Sequence, residues 1–184
     1  MKLRTTFGRL VAGACAAAAL AAAWPAGAGA ASERIYSLAP VGTFTLPAGV
    51  AVAPDGSILV ADAAADQVMR FGTDGLMTVF AGTGVGGLSG DGGQAIAAQL
   101  ETPAGVAVAR DGSVLIADYG NNRVRRVSPA GVISTIAGTT RGSSGDGGPA
   151  VAAQLKSPAL ISVAADGSVV IPDEADHRVR RVGP

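Results

Sequence analysis

Residues 103–127 read PAGVAVARDGSVLIADYGNNRVRRV, and this stretch occurs twice more in the chain in altered form. The matching segments are PAGVAVAPDGSILVADAAADQVMRF at 47–71 and PALISVAADGSVVIPDEADHRVRRV at 158–182. The copies begin 55 or 56 residues apart. Self-similarity at a fixed period is typical of repeat architectures, in which each unit packs against its neighbours.

Each unit contains four strand-length runs rich in β-branched residues, which in the middle unit are GVAVA, SVLIAD, RVRRV and ISTIAG. An Asp-Gly pair, at 55–56, 111–112 and 166–167, favours a type I′ hairpin in which both residues have positive φ. The nearly continuous apolar character of the first two runs indicates a sheet covered on both faces. The sequence therefore predicts an all-β fold of β-propeller blades, each with four antiparallel strands, and about three blades per chain.

A glycine-rich segment recurs between the units. GDGGQAIAAQL at 90–100 and GDGGPAVAAQL at 145–155 share nine of eleven residues. We expect a structural loop with a short helical turn, in which glycines hold positive φ and Asp91 and Asp146 bond local backbone amides. The segment lacks the alternating carboxylates of a calcium loop and the lysine of a phosphate-binding loop.

The combined pattern resembles a known family. P-x-G-V-A-V-x-x-D-G, A-D and N-R-V-R-R-V, followed by AGT and GDGGPA, is similar to the NHL repeat in its long, secreted bacterial form. The resemblance covers about residues 44–182 and implies a β-propeller. We place repeats at about 44–100, 101–155 and 156–184, within one domain over 31–184.

Residues 1–30 are expected to be a secretory signal peptide. Lys2, Arg4 and Arg9 precede the apolar run LVAGACAAAALAAAW, and the small residues PAGAGA close it. The apolar run is short for a membrane span. We therefore expect a secreted or extracytoplasmic protein that begins near Ala31 and has no membrane span after the signal is removed.

Removal of that segment would leave eleven basic and fourteen acidic residues, a net charge of −3, and no cysteine, because Cys15 lies within it. A nucleic-acid partner, which would require a basic face, is not expected. Neither a disulfide nor a cysteine metal site is expected, and no cofactor is assigned.

Charged residues that recur at the same place in every unit are assigned to structural hydrogen bonds and ion pairs. One set ends the second strand and the other lies late in the third strand. These are Asp62, Asp118 and Asp173, and Arg70, Arg126 and Arg181.

Positions that differ between the units lie in the connection between the second and third strands. In an up-and-down blade this connection and the long glycine-rich loop emerge on one face, and loops on a rigid scaffold commonly carry function. The predicted binding residues are Tyr119, Asn122, Arg123, Glu174, His177 and Arg178. No catalytic residue and no metal ligand is assigned.

Two classes of function remain open. The first is a secreted binding or scaffolding module that presents the loop-rich face to a protein, peptide or glycan. The alternative is a propeller hydrolase or lyase with a metal-assisted site in the central channel, for which Asp118, Asn122, Glu174 and His177 are candidates by analogy of fold. An enzyme is the less favoured class, because the sequence has no Ser-His-Asp order and no histidine cluster.

The strand count raises a question of assembly. Residues 33–44 are expected to supply one strand, 47–83 and 103–139 four each, and 158–182 three, which makes twelve. Propellers typically need about four to eight blades. The sequence therefore suggests a homodimeric six-bladed ring in which each N-terminal strand completes the partner's last blade. An open three-blade arc and a truncated product are the alternatives.

Overall fold

The computed structural model describes residues 37–39 and 42–183, so the expected signal peptide lies outside the described residues. Within them the chain forms eleven strands in three antiparallel sheets. The only helical elements in this part are three short 3-10 turns, at Ala95–Ala97, Ala150–Ala152 and Glu174–Asp176. None of these helices is long enough to cross a membrane. The prediction of an all-β fold with short helical turns in the long loops is confirmed.

Each sheet is one blade, and its strands follow one another across the sheet in chain order. Blade 1 contains β1 (Pro47–Val52), β2 (Ile58–Asp62), β3 (Gln67–Phe71) and β4 (Met77–Ala81). Blade 2 contains β5 (Pro103–Val108), β6 (Val114–Asp118), β7 (Arg123–Val127) and β8 (Ile133–Ala137). Blade 3 contains β9 (Ser162–Val163), β10 (Val169–Asp173) and β11 (Arg178–Val182).

The strand predicted at 33–44 is not formed in the part of it that the structure describes. Residues 37–39 and 42–44 lie outside any strand, so the described chain has eleven strands and not twelve. A strand requires a hydrogen-bonding partner. Within the described residues, β1 pairs only with β2, and no strand from the N-terminal segment pairs with it. In blade 3, β11 pairs only with β10 and is therefore an edge strand among these residues.

Two apolar layers between the blades form the core. The first joins blades 1 and 2 through residues such as Leu59 and Ile116. The second joins blades 2 and 3 through residues such as Leu115 and Ile171. Neighbouring residues of β6 thus enter opposite layers, as the two-residue period of a strand requires. This explains why the first two strands of a unit are apolar throughout.

The outer blades each have one uncovered apolar face. Val106 of blade 2 is 6% exposed, whereas Val50, at the same place in blade 1, is 66% exposed. In the opposite direction, Val124 is fully buried and its blade 3 counterpart, Val179, is 72% exposed. The difference arises because only the middle blade has a neighbour on both sides.

First strands of adjacent blades approach each other backbone to backbone. A Cβ atom on Gly49 would lie 2.7 Å from the carbonyl oxygen of Ala104, and one on Gly105 would lie 2.8 Å from that of Ala159. Glycine is therefore required at both positions for the blades to pack this closely. Blade 3 has Leu160 at the equivalent place.

The Asp-Gly turns differ from the type I′ prediction. Gly56 has a φ of +84°, but Asp55 is not among the residues with positive φ. The Gly56 amide donates to the Ala53 carbonyl at 2.9 Å, which is the pattern of a type I turn followed by a left-handed glycine. Asp55 keeps an ordinary conformation because its carboxylate accepts hydrogen bonds from the Ser57 amide and hydroxyl, at 2.9 and 2.7 Å. The other two blades repeat this turn.

Candidate functional site

The connections between second and third strands meet the long glycine-rich loops at one end of the blades. The Asn121 side-chain amide donates to the carbonyl of Gly87 at 2.8 Å, and the Ser143 hydroxyl donates to Asp176. This arrangement agrees with the up-and-down geometry expected from the sequence. We call this end the loop face. It consists of residues 63–66, 119–122 and 174–177 and of the loops 82–94 and 138–149.

The opposite end carries the Asp-Gly turns, each bound by the arginine late in the third strand. The pairs are Arg70 with Asp55, Arg126 with Asp111, and Arg181 with Asp166. The pKa of each aspartate is lowered, first by hydrogen bonds from the serine two residues later and then by the nearby guanidinium. The structural assignment of these arginines is confirmed. Exposed ion pairs of this kind contribute little to stability.

The aspartates that end the second strands are buried and bind the linker that enters their own blade. Asp62 accepts hydrogen bonds from the amides of Thr45 and Leu46, at 2.8 and 2.7 Å. Asp118 accepts one from the amide of Glu101 at 2.8 Å. Because each carboxylate anchors the first strand to the second, the structural assignment of this set is also confirmed.

A buried arginine fastens the first glycine-rich loop to blade 2. Arg125 in β7 has a fully buried side chain that lies between two carboxylates. Its guanidinium nitrogens lie 2.8 Å from Asp91 and 3.2 Å from Asp118. It also donates to the carbonyl of Ser89 at 3.1 Å, and the Thr135 hydroxyl donates to Asp91 at 2.7 Å. The loop is therefore held by side chains from two strands of the following blade.

These contacts correct the expectation that Asp91 bonds local backbone amides. The loop satisfies part of its backbone internally, through carbonyls such as that of Gly90, and the carboxylate reaches across to the next blade. Burial acts to raise the pKa of Asp91, but the hydrogen bonds from Thr135 and Arg125 outweigh it, and the pKa is lowered. Burial dominates at Asp118 and raises its pKa, although three donors offset part of this effect.

Blade 3 repeats the ion pair between the GDGG aspartate and the third-strand arginine but differs at the buried aspartate. Arg180 donates to Asp146 at 2.9 Å through Nε, and its Nη1 atom lies 3.7 Å from Oδ2 of Asp173. That Oδ2 atom is buried and has no hydrogen bond within the described residues. In blade 2, Asn121 donates to the equivalent oxygen at 2.9 Å. Asp176 replaces this asparagine in blade 3, and a carboxylate has no proton to donate.

Three of the predicted binding residues are engaged in the fold. Asn122 has a φ of +54°, and its Oδ1 atom accepts a hydrogen bond from the amide of Ser157 in the next linker at 3.0 Å. Arg123 donates to a neighbouring backbone carbonyl at 3.1 Å. Arg178 donates to Asp146 at 3.0 Å. Each of these side chains therefore has a structural contact in addition to any contact with a ligand.

The other three predicted residues lie at the surface of the loop face. Glu174 and His177 are exposed, and Tyr119 is half-buried. His177 has a φ of +54°, in the same left-handed region as its counterparts Asp66 and Asn122. Among residues other than glycine, Asn, Asp and His adopt this region most readily, which explains the choice of residue at this turn position. A role in binding stays a prediction for all six residues.

The residues considered for a metal-assisted enzyme are not assembled into such a site. Within the described part of the chain, no three His, Cys, Asp or Glu side chains lie close enough together to hold a metal ion. Asp118 is bound by Arg125 and Asn121 and faces the interior of the blades.

Sequence reasoning missed the third-strand position that holds Met69, Arg125 and Arg180. At the last two of these, a guanidinium binds the aspartate of the preceding GDGG segment. Met69 lies in blade 1, which no GDGG segment precedes. In the aligned repeats, arginine occupies this position only in the two blades that a GDGG segment precedes. This pattern could have identified the arginine as the partner of the GDGG aspartate.

Comparison with known proteins agrees with the geometry. A family model described as the Teneurin NHL domain matches residues 86–145, which run from the first glycine-rich loop through blade 2 into the second loop. The chain carries NHL repeats. Human Teneurin-4 is 35% identical to this NHL-repeat protein over 100 residues, which are 47% of this chain and 4% of Teneurin-4. The match thus covers a small part of the relative's length.

Solved structures extend the likeness beyond the residues that the family model matches. A protein of unknown function from Bacteroides thetaiotaomicron superposes on the NHL-repeat protein with a TM-score of 0.62 and 24% identity, covering 69% of this chain and 32% of that one. A gluconolactonase from Xanthomonas campestris superposes with a TM-score of 0.54 and 18% identity, covering 77% and 45%. At these identities the likeness shows the fold alone. The predicted propeller blades are confirmed.

Proposed function

We propose that this NHL-repeat protein is an extracytoplasmic binding module that presents its loop face to a protein or peptide ligand. The observation that carries the proposal is that recurrent charged residues are used by the fold, whereas the exposed residues of the loop face vary. Charged residues that recur in every blade are bound to other groups of the fold. Residues exposed on the loop face differ from blade to blade.

The exposed part of the loop face combines several kinds of side chain. Half-buried Tyr119 lies on the same face as the charged Glu174 and the imidazole of His177. Val85 and Leu88 of the first glycine-rich loop are 60% and 45% exposed. Aromatic and apolar groups beside charged ones, carried by a rigid scaffold, are typical of surfaces that recognise proteins.

The two glycine-rich loops differ where they face solvent. Both keep the GDGG segment and the buried leucine that follows it. The first loop exposes Val85 and Leu88, whereas the second exposes Arg141 and Ser143 in the corresponding part. A constant structural segment with variable exposed residues supports a role in recognition. The extracytoplasmic location is supported by the charged, apolar and small-residue segments of residues 1–30.

The proposal is tested by capture from the secreted fraction of the source organism. The captured partner is identified by mass spectrometry, and its dissociation constant is then measured with the purified component. We expect Tyr119→Ala combined with Val85→Ser to weaken binding by about tenfold or more, as loss of an aromatic anchor commonly does. The matched control is Thr73→Ala, which changes an exposed residue beside Gly56 at the opposite end of blade 1.

Two results would contradict the proposal. One is equal weakening by the control and the loop-face variant. The other is unchanged binding by a loop-face variant that circular dichroism shows to be folded.

A further inference from the structure

The fourth strand of blade 2 holds the glycine-rich loop that precedes the blade. Ile133 of β8 accepts a hydrogen bond from the Gly92 amide at 2.8 Å and donates one to the Gly93 carbonyl at 3.0 Å. The Ile133 side chain is fully buried. Two residues later, the Thr135 hydroxyl binds Asp91. The strand thus supplies a backbone edge, an apolar side chain and a hydroxyl to the loop.

Blade 3 has the same loop before it but no fourth strand within the described residues. Gly147 and Gly148 stand where Gly92 and Gly93 stand in blade 2, and the described chain brings no strand against them. Asp146, the equivalent of Asp91, has a side chain that is 63% exposed. The outer edge of β11 is unpaired in this part of the chain.

An apolar opening lies beside this edge. Leu155, Ile171 and Val182 line it, together with Asp146 and Arg180. The blade 2 counterparts of these three apolar residues belong to the same buried cluster as Ile133. These counterparts are Leu100, Ile116 and Val127. We call the opening, the edge of β11 and the loop backbone at 147–148 the blade 3 slot.

One segment of the chain has the sequence of a fourth strand. Residues 35–39 read IYSLA, which aligns with ISTIA at 133–137, sharing its first and last residues, and with MTVFA at 77–81, sharing the last. Ile35 corresponds to the buried Ile133, and Ser37 corresponds to Thr135. The described part of this segment, 37–39, lies outside any strand, and the side chain of Leu38 is exposed.

The middle position of this pattern follows the presence of a GDGG segment. Thr135 lies in a blade that such a segment precedes, and its hydroxyl binds the segment's aspartate. Val79 lies in blade 1, which none precedes, and it has no hydroxyl. Ser37 supplies a hydroxyl at the position from which Thr135 binds Asp91. Asp146 is bonded by Arg178 and Arg180 and, within the described residues, by no hydroxyl.

We propose that residues 35–39 of a second copy of this chain occupy the blade 3 slot as its fourth strand. Ile35 fills the apolar opening, and the Ser37 hydroxyl donates to Asp146. When the exchange is reciprocal, two chains form a ring of six blades by two-fold symmetry. This assembly does not depend on the ligand proposed for the loop face.

Distance favours a second copy over the same chain. Thr45 is bonded to Asp62 in blade 1, and blade 2 lies between that blade and the slot. From Thr45, the slot lies two sheet spacings of about 10 Å away in one direction and three strand spacings of about 5 Å away in the perpendicular direction. The diagonal distance is about 25 Å. The six residue-to-residue steps from Ala39 to Thr45 span at most about 20 Å. With the partner's blade 1 beside blade 3, a single sheet spacing intervenes and the distance is about 18 Å.

The same placement covers both exposed apolar faces. Val50 on blade 1 of one chain and Val179 on blade 3 of the other become buried, as their counterparts are between blades of one chain. Leu160 stands where Gly49 and Gly105 permit close approach. The Leu160 side chain would therefore keep the partner's β1 farther from β9 than β5 is from β1. Because glycine would allow closer packing, we expect Leu160→Gly to strengthen the association.

Disulfide trapping distinguishes exchange between chains from closure within one chain. Ser37→Cys and Asp146→Cys are introduced into separate, differently tagged chains that also carry Cys15→Ser. After the chains are mixed and oxidised, we expect a covalent product that contains both tags. The control replaces Ser37→Cys with Tyr36→Cys, which in the proposed strand would point to the other face, and should yield far less product. A doubly substituted chain that forms only an internal disulfide would overturn the proposal.

Sedimentation equilibrium tests the fit of the strand. We expect Ile35→Asp to raise the dimer dissociation constant by about tenfold or more, because it would bury a carboxylate in the apolar opening. Tyr36→Asp, which corresponds to the exposed Ser134, should leave the constant nearly unchanged. A wild-type protein that stays monomeric at high concentration, or equal effects of the two substitutions, would overturn the proposal. An unchanged constant for Leu160→Gly would contradict the placement of the partner's β1.

Discussion

The guanidinium of Arg125 lies 2.8 Å from Asp91, although 34 residues separate them in the chain and they belong to different structural units. Asp91 lies in the loop that ends the first repeat, and Arg125 lies in the third strand of the second. The pair is repeated by Asp146 and Arg180 one blade later. The GDGG segment is therefore a clamp between blades, and its arginine is found only where a GDGG segment precedes the blade.

Loss of this clamp should destabilise the protein strongly. We expect Arg125→Met, which installs the residue of blade 1, to lower the free energy of unfolding by about 3–5 kcal/mol, because the buried Asp118 loses its cation. Urea denaturation followed by circular dichroism measures the change. The neighbouring substitution Arg126→Met removes an exposed pair and should have a much smaller effect. Similar losses for the two variants would contradict the role assigned to Arg125.

The glycines of the GDGG loop should differ in their tolerance of a side chain. Gly145 has a φ of +98°, and a Cβ atom there would lie 2.6 Å from Cα of Ala153. We expect Gly145→Ala to lower the free energy of unfolding by about 1–3 kcal/mol. Gly148 has no positive φ, contrary to the expectation for the loop's glycines in general, and its Cβ would meet only the Gly145 carbonyl at 3.5 Å. Thermal unfolding should show Gly148→Ala to be nearly neutral. Unchanged stability in both variants would indicate a mobile loop, and equal losses would contradict the difference between the two glycines.

Acid should weaken the clamp. The pKa of Asp91 lies below its ordinary value of 3.8 in the folded protein, so the unfolded chain binds more protons. The stability that this group contributes is present above pH 3.8 and is lost as the pH falls through the folded pKa. Asp118 has the opposite sign, because burial raises its pKa. We expect the melting temperature to fall between about pH 5 and pH 3, and to fall less steeply in Asp91→Asn. Parallel curves would refute this assignment.

The turn that contains His177 allows stability and binding to be separated. Since His177 has a φ of +54°, we expect His177→Val to lower the free energy of unfolding by about 1–2 kcal/mol, whereas His177→Asn should leave it unchanged. Differential scanning calorimetry measures both. If His177 contacts the ligand, His177→Asn weakens binding in a protein of normal stability. Normal binding by that variant would limit His177 to a role in the turn.

Export should remove the first thirty residues. Mass spectrometry of the exported protein is expected to show a terminus near Ala31, because the small residues before it fit the signal peptidase. A terminus that retains Lys2 to Arg9 would contradict the extracytoplasmic proposal.

The local parts of the fold could be predicted because their causes are local. The repeated runs and turn residues sufficed for the strands of blades 1 and 2, and the recurrence of Arg126 with Asp111 was enough to identify structural charges. The turn type was predicted wrongly at Asp55, where the carboxylate bonds to Ser57 and the residue needs no left-handed conformation. Side-chain hydrogen bonds of this kind compete with the backbone preference on which the prediction rested.

By itself, the sequence determined the repeat period, the four-stranded blade and the end of the blades at which variable residues gather. Only the tertiary structure decided which groups are buried and paired. Val50 and Val106 are the same residue in the same local sequence, yet one is 66% and the other 6% exposed. Asp91 is flanked by glycines, and its partners come from the next blade. Burial and charge pairing depend on what lies opposite a residue in space, which its sequence neighbours do not specify.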